Sequence, residues 1–108
     1  MKDNIICNKM LAYIDKILDY THDKNYDSFI ANNMLVEACV FNLSQLGELA
    51  GKLGNKFCEE HNNIPWKQIY GLRNRIVHDY DGVNLQLVWE IISYDIPELK
   101  KEIDNIIL

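Results

Sequence analysis

The sequence concentrates chemically useful side chains in residues 73–80, Arg-Asn-Arg-Ile-Val-His-Asp-Tyr, which contain both arginines of the chain. Histidine accepts or donates a proton near neutral pH, because its unperturbed pKa is about 6.5. Arginine stays charged and offers a bidentate fork to phosphate oxygens. Arg73 and His78 are therefore chemically sufficient to cleave an RNA phosphodiester through its own 2′-hydroxyl, without a metal ion.

The placement of Arg73 in the apolar pattern is unusual. On a helical wheel it lies between Leu72 and Ile76, and a guanidinium in such a position must be paired or lie in a cleft. Asn74 shares a face with His78, whereas Arg73 and His78 point about 140° apart with about 7.5 Å of rise between them. They converge if the helix unwinds, if the Arg73 side chain wraps round it, or if two copies of the chain join their motifs in one groove.

Three other interpretations of these residues remain open. Arg73 could anchor a carboxylate such as Glu48, in which case His78 merely ends a helix. Arg75 is expected to be solvated or to face RNA rather than to catalyse. Asp79 and Asp81 could be metal ligands, although an Asp-x-Asp pair at a helix end is more typical of a solvated turn.

Metal and cofactor sites are not expected elsewhere. Cys58-x2-His61 is half of a zinc motif without a second half, and the three cysteines are expected to be reduced, mostly buried thiols. We therefore predict neither a metal ion nor a cofactor.

Length and composition describe an ordinary globular chain. With 108 residues, of which 48% are hydrophobic and 25% charged, we expect one domain over residues 1–108. The net charge of −5 excludes a general nucleic-acid coat protein, so any RNA contact must be local. No apolar run approaches the roughly 18 residues of a membrane span, and the first residues lack a signal-peptide core. We expect a cytoplasmic protein that does not enter a membrane.

Apolar periodicity predicts an all-α fold, a small antiparallel bundle of four to five helices. The first predicted helix runs from Asp3 to about Tyr20. The second is capped by Asp27 or Ser28, runs to about Leu53 and is ended by Gly54, and a helical turn follows at 56–61. A third helix runs from Pro65 to near Tyr80, a fourth is capped by Asn84, and a last helix restarts at residues 95–98, Asp-Ile-Pro-Glu.

The second helix is apolar over more than half of its circumference. Such a helix must bury two sides, so we expect one side to face its own domain and another to face a second copy of the chain. The aromatic residues Phe41, Trp66 and Trp89 are expected in the core.

The pattern Arg-x4-His-x-Tyr, here Arg73, His78 and Tyr80, resembles the signature of the HEPN superfamily, and specifically of its HepT-like branch. The likeness extends to residues 45–50 in the second helix, to residues 66–80 around the motif, and to Val88-Trp89 and residues 95–99. It thus covers the helices from about residue 40 onward, and the chain length also suits the family.

This resemblance implies a homodimeric, all-helical ribonuclease toxin that is silenced by a minimal nucleotidyltransferase antitoxin of the MntA type. Arg73 would orient phosphate and stabilise charge, His78 would transfer protons, and Asn74 would support the site. The antitoxin would attach AMP to Tyr80, which adds bulk and negative charge beside the cations that RNA needs. The alternative is a non-catalytic substrate-binding subunit of a two-component nucleotidyltransferase.

Overall fold

All regular secondary structure in the described part of the chain is helical, as the apolar periodicity predicts. The computed structural model describes residues 2–77 and 84–107, without the side chains of Arg73 and Val77. The elements are α1 (Lys2–Thr21), α2 (Tyr26–Ile30), α3 (Asn33–Ala50), α4 (Asn55–Glu60), α5 (Trp66–Tyr70), α6 (Leu72–Val77), α7 (Leu85–Glu90), a π-helical segment (Ile91–Asp95) and α8 (Ile96–Ile107). None of these helices is both long and apolar enough to cross a membrane.

Helix α3 is the central element of the bundle. It packs against α1, α5 and α6, and α1 also packs against α8. Lys2 and Lys9 border one surface depression with Lys52, while Tyr20 borders another with Met34. The start of α1 therefore lies beside the end of α3, so this pair of helices is antiparallel, as predicted.

The core is formed by apolar side chains from almost every helix. Its largest fully buried members include Met10, Ile14, Ile17, Phe29, Leu43, Leu46, Ile76, Val88, Ile91, Ile96 and Ile103. Trp66 is buried, and Trp89 packs with its ring centroid 5.1 Å from that of Phe29, which confirms their predicted core positions. The prediction for Phe41 is wrong, because 58% of this residue is exposed on the outer side of α3.

The predicted second helix is interrupted near its start. Asn25, rather than Asp27 or Ser28, caps α2: its Oδ1 accepts from the Ser28 N–H at 2.8 Å, and Ser28 Oγ accepts from the Asn25 N–H at 2.9 Å. Asn32 then caps α3 by accepting from the Leu35 N–H at 3.1 Å. An asparagine side chain binds the first free amides of a helix well, so each asparagine begins a new helix.

Three glycines also move helix boundaries from the predicted ones. Helix α3 ends at Ala50 with Gly51, rather than Gly54, as the residue that follows it. Gly54 instead precedes α4, and this short helix confirms the predicted helical turn at 56–61. The predicted third helix is divided at Gly71 into α5 and α6, and Pro65 lies just before α5 rather than in its first turn.

The last helix does not restart at Asp95. Residues 85–107 stay helical throughout, and the Ile96 N–H donates to the Ile91 carbonyl across the wider π-helical turn. Pro97 lacks an N–H and its ring crowds the carbonyl four residues earlier. A π-helical turn next to the proline is one of the known ways in which a helix accommodates such a defect. Asn84 caps α7 as predicted, since its Oδ1 accepts from the Leu87 N–H at 3.0 Å.

Two glycines let α5 approach α3 closely. A Cβ atom on Gly47 would lie 3.0 Å from the Ile69 carbonyl oxygen and 3.2 Å from that of Tyr70. A Cβ atom on Gly51, one turn further along, would lie 2.5 Å from the Tyr70 ring. The end of α5 therefore rests on a strip of α3 that has no side chains.

We expect Gly47→Ala to lower the free energy of unfolding by about 1–3 kcal/mol, because the new methyl group meets backbone atoms that cannot move alone. Urea denaturation followed by circular dichroism measures this change. Gly71→Ala is the matched control: its Cβ meets the Lys67 carbonyl oxygen at an ordinary 3.4 Å. Equal stability of Gly47→Ala and wild type would contradict the close packing at this crossing.

Candidate functional site

Helix α6 carries the first part of the predicted motif. Arg73 and Asn74 lie in this helix, and Asn74 is exposed. His78, which follows α6 directly, and Tyr80 lie outside the described residues, as do Asp79 and Asp81. The meeting of Arg73 and His78 in one groove therefore stays a prediction, and the disfavoured alternative of Asp79 and Asp81 as metal ligands falls outside the described residues as well.

The orientation of α6 is set by α5. The Trp66 Nε1–H donates to the His61 carbonyl at 3.0 Å, and the Trp66 ring lies 6.0 Å from that of Phe57, so the first residue of α5 is fixed from two sides. At the other end of α5, the Gly71 N–H donates to the Lys67 carbonyl and the Arg75 N–H donates to the Gly71 carbonyl, both at 3.0 Å. These backbone hydrogen bonds connect α5 to α6 across the break at Gly71.

Arg75 borders a cavity of about 160 Å³ between α5, α6 and α8. The carboxylates of Asp95, Glu98 and Glu102 also line this cavity. Because such a lining repels phosphate, the environment favours the solvated role for Arg75 over the RNA-facing one. Glu48, the carboxylate named as a possible anchor for Arg73, lies exposed on α3 beside Gly47.

The cysteines are poor nucleophiles in this fold. Burial raises the pKa of Cys39 to about 11, and burial together with the nearby Asp3 carboxylate and Cys58 raises that of Cys7 to about 11. Burial is also the main cause of the raised pKa of Cys58, with Asp3 adding to it. All three are free thiols, and they stay protonated near neutral pH. Within residues 2–77 and 84–107, no three His, Cys, Asp or Glu side chains form a group that could hold a metal ion.

The exposed ring of Tyr70 is a feature that the sequence pattern did not single out. It lies on Gly51, with 61% of the residue exposed, one helical turn before Asn74. The repeated glycine at Gly47-x3-Gly51 was the available signal, because small residues one turn apart permit a close helix approach. The aromatic residue that lies on this strip could be found only from the tertiary structure.

Comparison with known proteins places the chain in a family. A family model described as "Ribonuclease HepT-like" matches residues 10–106. The chain is 38% identical over 98 residues to the protein named "Putative RNase MJ0125" of Methanocaldococcus jannaschii, covering 91% of this chain and 84% of the relative. It is 36% identical over 95 residues to "Putative RNase MJ1380" of the same organism, covering 88% and 87% of the two chains.

A further relative is the "Probable ribonuclease HepT" of Thermococcus cleftensis, 27% identical over 93 residues, which are 86% of this chain and 84% of that protein. The comparison with solved structures found no match. The family match spans nearly the whole chain and includes the helix that carries Arg73 and Asn74. The chain therefore belongs to the HepT-like ribonuclease family, as the resemblance of residues 73–80 indicated.

Proposed function

We propose that this chain is a metal-independent endoribonuclease toxin, with Arg73 and His78 as its catalytic residues. The observation that carries the proposal is the family membership of a chain that has Arg73, His78 and Tyr80 in the spacing Arg-x4-His-x-Tyr. The relatives that are named as RNases support the reaction class.

The reaction needs one base, one acid and one fixed cation. His78 takes the proton from the 2′-hydroxyl of RNA, and the freed 2′-oxygen attacks the adjacent phosphorus. The departing 5′-oxygen takes a proton from a protonated His78, of which the proposed dimer groove holds two copies, and the products are a 2′,3′-cyclic phosphate and a 5′-hydroxyl end. Arg73 stabilises the extra negative charge on the phosphorane, and the exposed Asn74 supports the bound phosphate as a hydrogen-bond donor.

Replacing His78 tests this chemistry. His78→Ala is expected to lower the cleavage rate of total RNA in EDTA by at least about 100-fold, because it removes the proton-transfer group. The circular dichroism spectrum and thermal midpoint should stay those of wild type. An unmodified wild-type protein that leaves RNA intact would instead favour the non-catalytic subunit of a two-component nucleotidyltransferase, and an active His78→Ala variant would remove His78 from the mechanism.

The active form is a homodimer that brings two copies of the motif to one groove. The outer side of α3 supports a contact between copies, because Met34 is 81% exposed and Phe41 is 58% exposed in the single chain. Tyr20 extends this apolar surface, while Lys16 and Glu37 border the same depression.

Phe41→Glu should convert this dimer to a monomer, because it introduces a charge at the centre of an apolar contact. Sedimentation velocity gives the mass directly. Tyr94→Glu is the control, since Tyr94 is a similarly exposed aromatic residue on a different element. A wild-type monomer, or a Phe41→Glu variant that still sediments as a dimer, would rule out this interface.

A minimal nucleotidyltransferase partner controls the toxin by joining AMP to the Tyr80 hydroxyl through a phosphodiester bond. The added group is bulky and negatively charged, and it lies two residues from His78. It therefore competes with RNA phosphate for the cationic site.

Tyr80→Phe should remain toxic yet escape this control, because the ring stays while the acceptor hydroxyl is lost. Growth after co-expression with the partner, together with intact-mass analysis, measures both effects. The wild-type toxin under the same co-expression is the control. Silencing of Tyr80→Phe by the partner would show that control does not depend on this hydroxyl.

A further inference from the structure

We propose a second RNA contact, distinct from the Arg73–His78 motif, on the surface formed by Lys2, Ile5, Lys9, Gly51, Lys52 and Tyr70. This Lys–Tyr surface would bind a single-stranded segment of the RNA, with one unstacked base on the Tyr70 ring and phosphates near the lysines. It deepens the ribonuclease proposal and rests on it for the identity of the ligand.

The lysines of this surface are close together and available. Lys2, Lys9 and Lys52 are exposed and line one depression with Ile5 and Gly51, where the start of α1 meets the end of α3. None of the three makes an ion pair or side-chain hydrogen bond with another described residue. In a chain with a net charge of −5, three unpaired cations at one place form a local positive patch.

The carboxylates of α1 lie on other sides of the helix. Lys2 and Lys9 are seven residues apart and share one face, from which Asp3 and Asp15 are each turned away by about 100° or more. Asp3 accepts the Gly54 N–H at 3.0 Å, and Asp15 accepts from Lys100 at 2.7 Å. Asp15 is therefore engaged with α8, and Asp3 is engaged with the backbone next to Lys52 without forming an ion pair with any of the three lysines.

Tyr70 supplies a stacking platform beside these lysines. Gly51 belongs to the depression and also lies under the Tyr70 ring, so the ring and the lysines form a continuous surface. The ring is 61% exposed and is supported on one side by α3. Aromatic rings next to cationic side chains are the usual components of single-strand binding surfaces. A duplex cannot use such a ring, because its bases are already stacked.

The position of the ring connects this surface to the motif. Tyr70 ends α5 and Asn74 lies four residues later in α6, just beyond the break at Gly71. An RNA strand held at Asn74 thus meets the Tyr70 ring next and then the lysines. The surface would position the substrate, whereas the chemistry stays with Arg73 and His78.

RNA affinity tests the inference directly. The probe is a fluorescein-labelled oligouridine of about 12 nucleotides, bound to protein that carries His78→Ala so that it is not cleaved. In this background Lys9→Glu with Lys52→Glu should raise the Kd at least tenfold and reduce the dependence of log Kd on log salt by about 1.4. Tyr70→Ala should raise the Kd at least about fivefold, and Tyr70→Phe should restore wild-type affinity.

Lys24→Glu with Lys101→Glu is the matched control, because these exposed lysines lie just after α1 and on α8, and their replacement makes the same charge change. Unchanged affinity in the Lys9/Lys52 and Tyr70 variants would overturn the inference. A change in sedimentation without a change in RNA affinity would overturn it as well, since the surface would then be a contact between copies.

Failure of the ribonuclease proposal is distinguishable from failure of this inference. Suppose that the unmodified wild type cleaves total RNA and that the Lys–Tyr variants bind oligouridine with unchanged affinity. This result would support the ribonuclease reaction and contradict the second RNA contact. Absence of cleavage, with affinity lost in the Lys–Tyr variants but not in the control, would support the surface and remove the reaction.

Discussion

The crossing of α5 over Gly47 and Gly51 is the contact on which the position of the motif depends. The carbonyl oxygens of Ile69 and Tyr70 lie only 3.0 and 3.2 Å from the position that a Cβ atom of Gly47 would take, so the two backbones approach more closely than a side chain there would readily permit. Since the hydrogen bonds at Gly71 connect α5 to α6, this crossing also contributes to the position of Arg73 and Asn74.

The predictable parts of the structure are those that short local sequence patterns determine. Helix content, the antiparallel pairing of α1 with α3 and the cap at Asn84 follow from local patterns of three or four residues, and these predictions are confirmed. The apolar periodicity runs through Asn32 and Gly71 and favours a continuous helix at both. The side-chain cap at Asn32 and the flexible backbone at Gly71 favour a break instead, and the balance between these effects decides the outcome. Periodicity alone cannot decide that balance, because tertiary contacts contribute to it.

The exposure of Phe41 and Tyr70 depends on tertiary structure for a different reason. Phe41 lies in a largely buried apolar stretch, so the sequence pattern places it in the core, whereas the pattern gives Tyr70 no particular position. In the single chain, α1 and α5 already cover the inner side of α3, and no described element covers Met34 and Phe41 on its outer side. Tyr70 lies at the end of α5, where its ring rests on Gly51 while 61% of the residue stays exposed.

The opposite ends of α1 and α3 thus offer surfaces of different character. At the end with Met34 and Phe41 the exposed groups are apolar, and the hydrophobic effect favours a second copy of the chain. At the other end Lys2, Lys9 and Lys52 form a cationic patch, where close approach of a second patch of the same sign is unfavourable. Two copies that join at the apolar end therefore keep their lysines apart, and an acidic protein retains a positive surface for RNA. In the proposed dimer, the contact between copies and the Lys–Tyr surface therefore use separate parts of one helix pair.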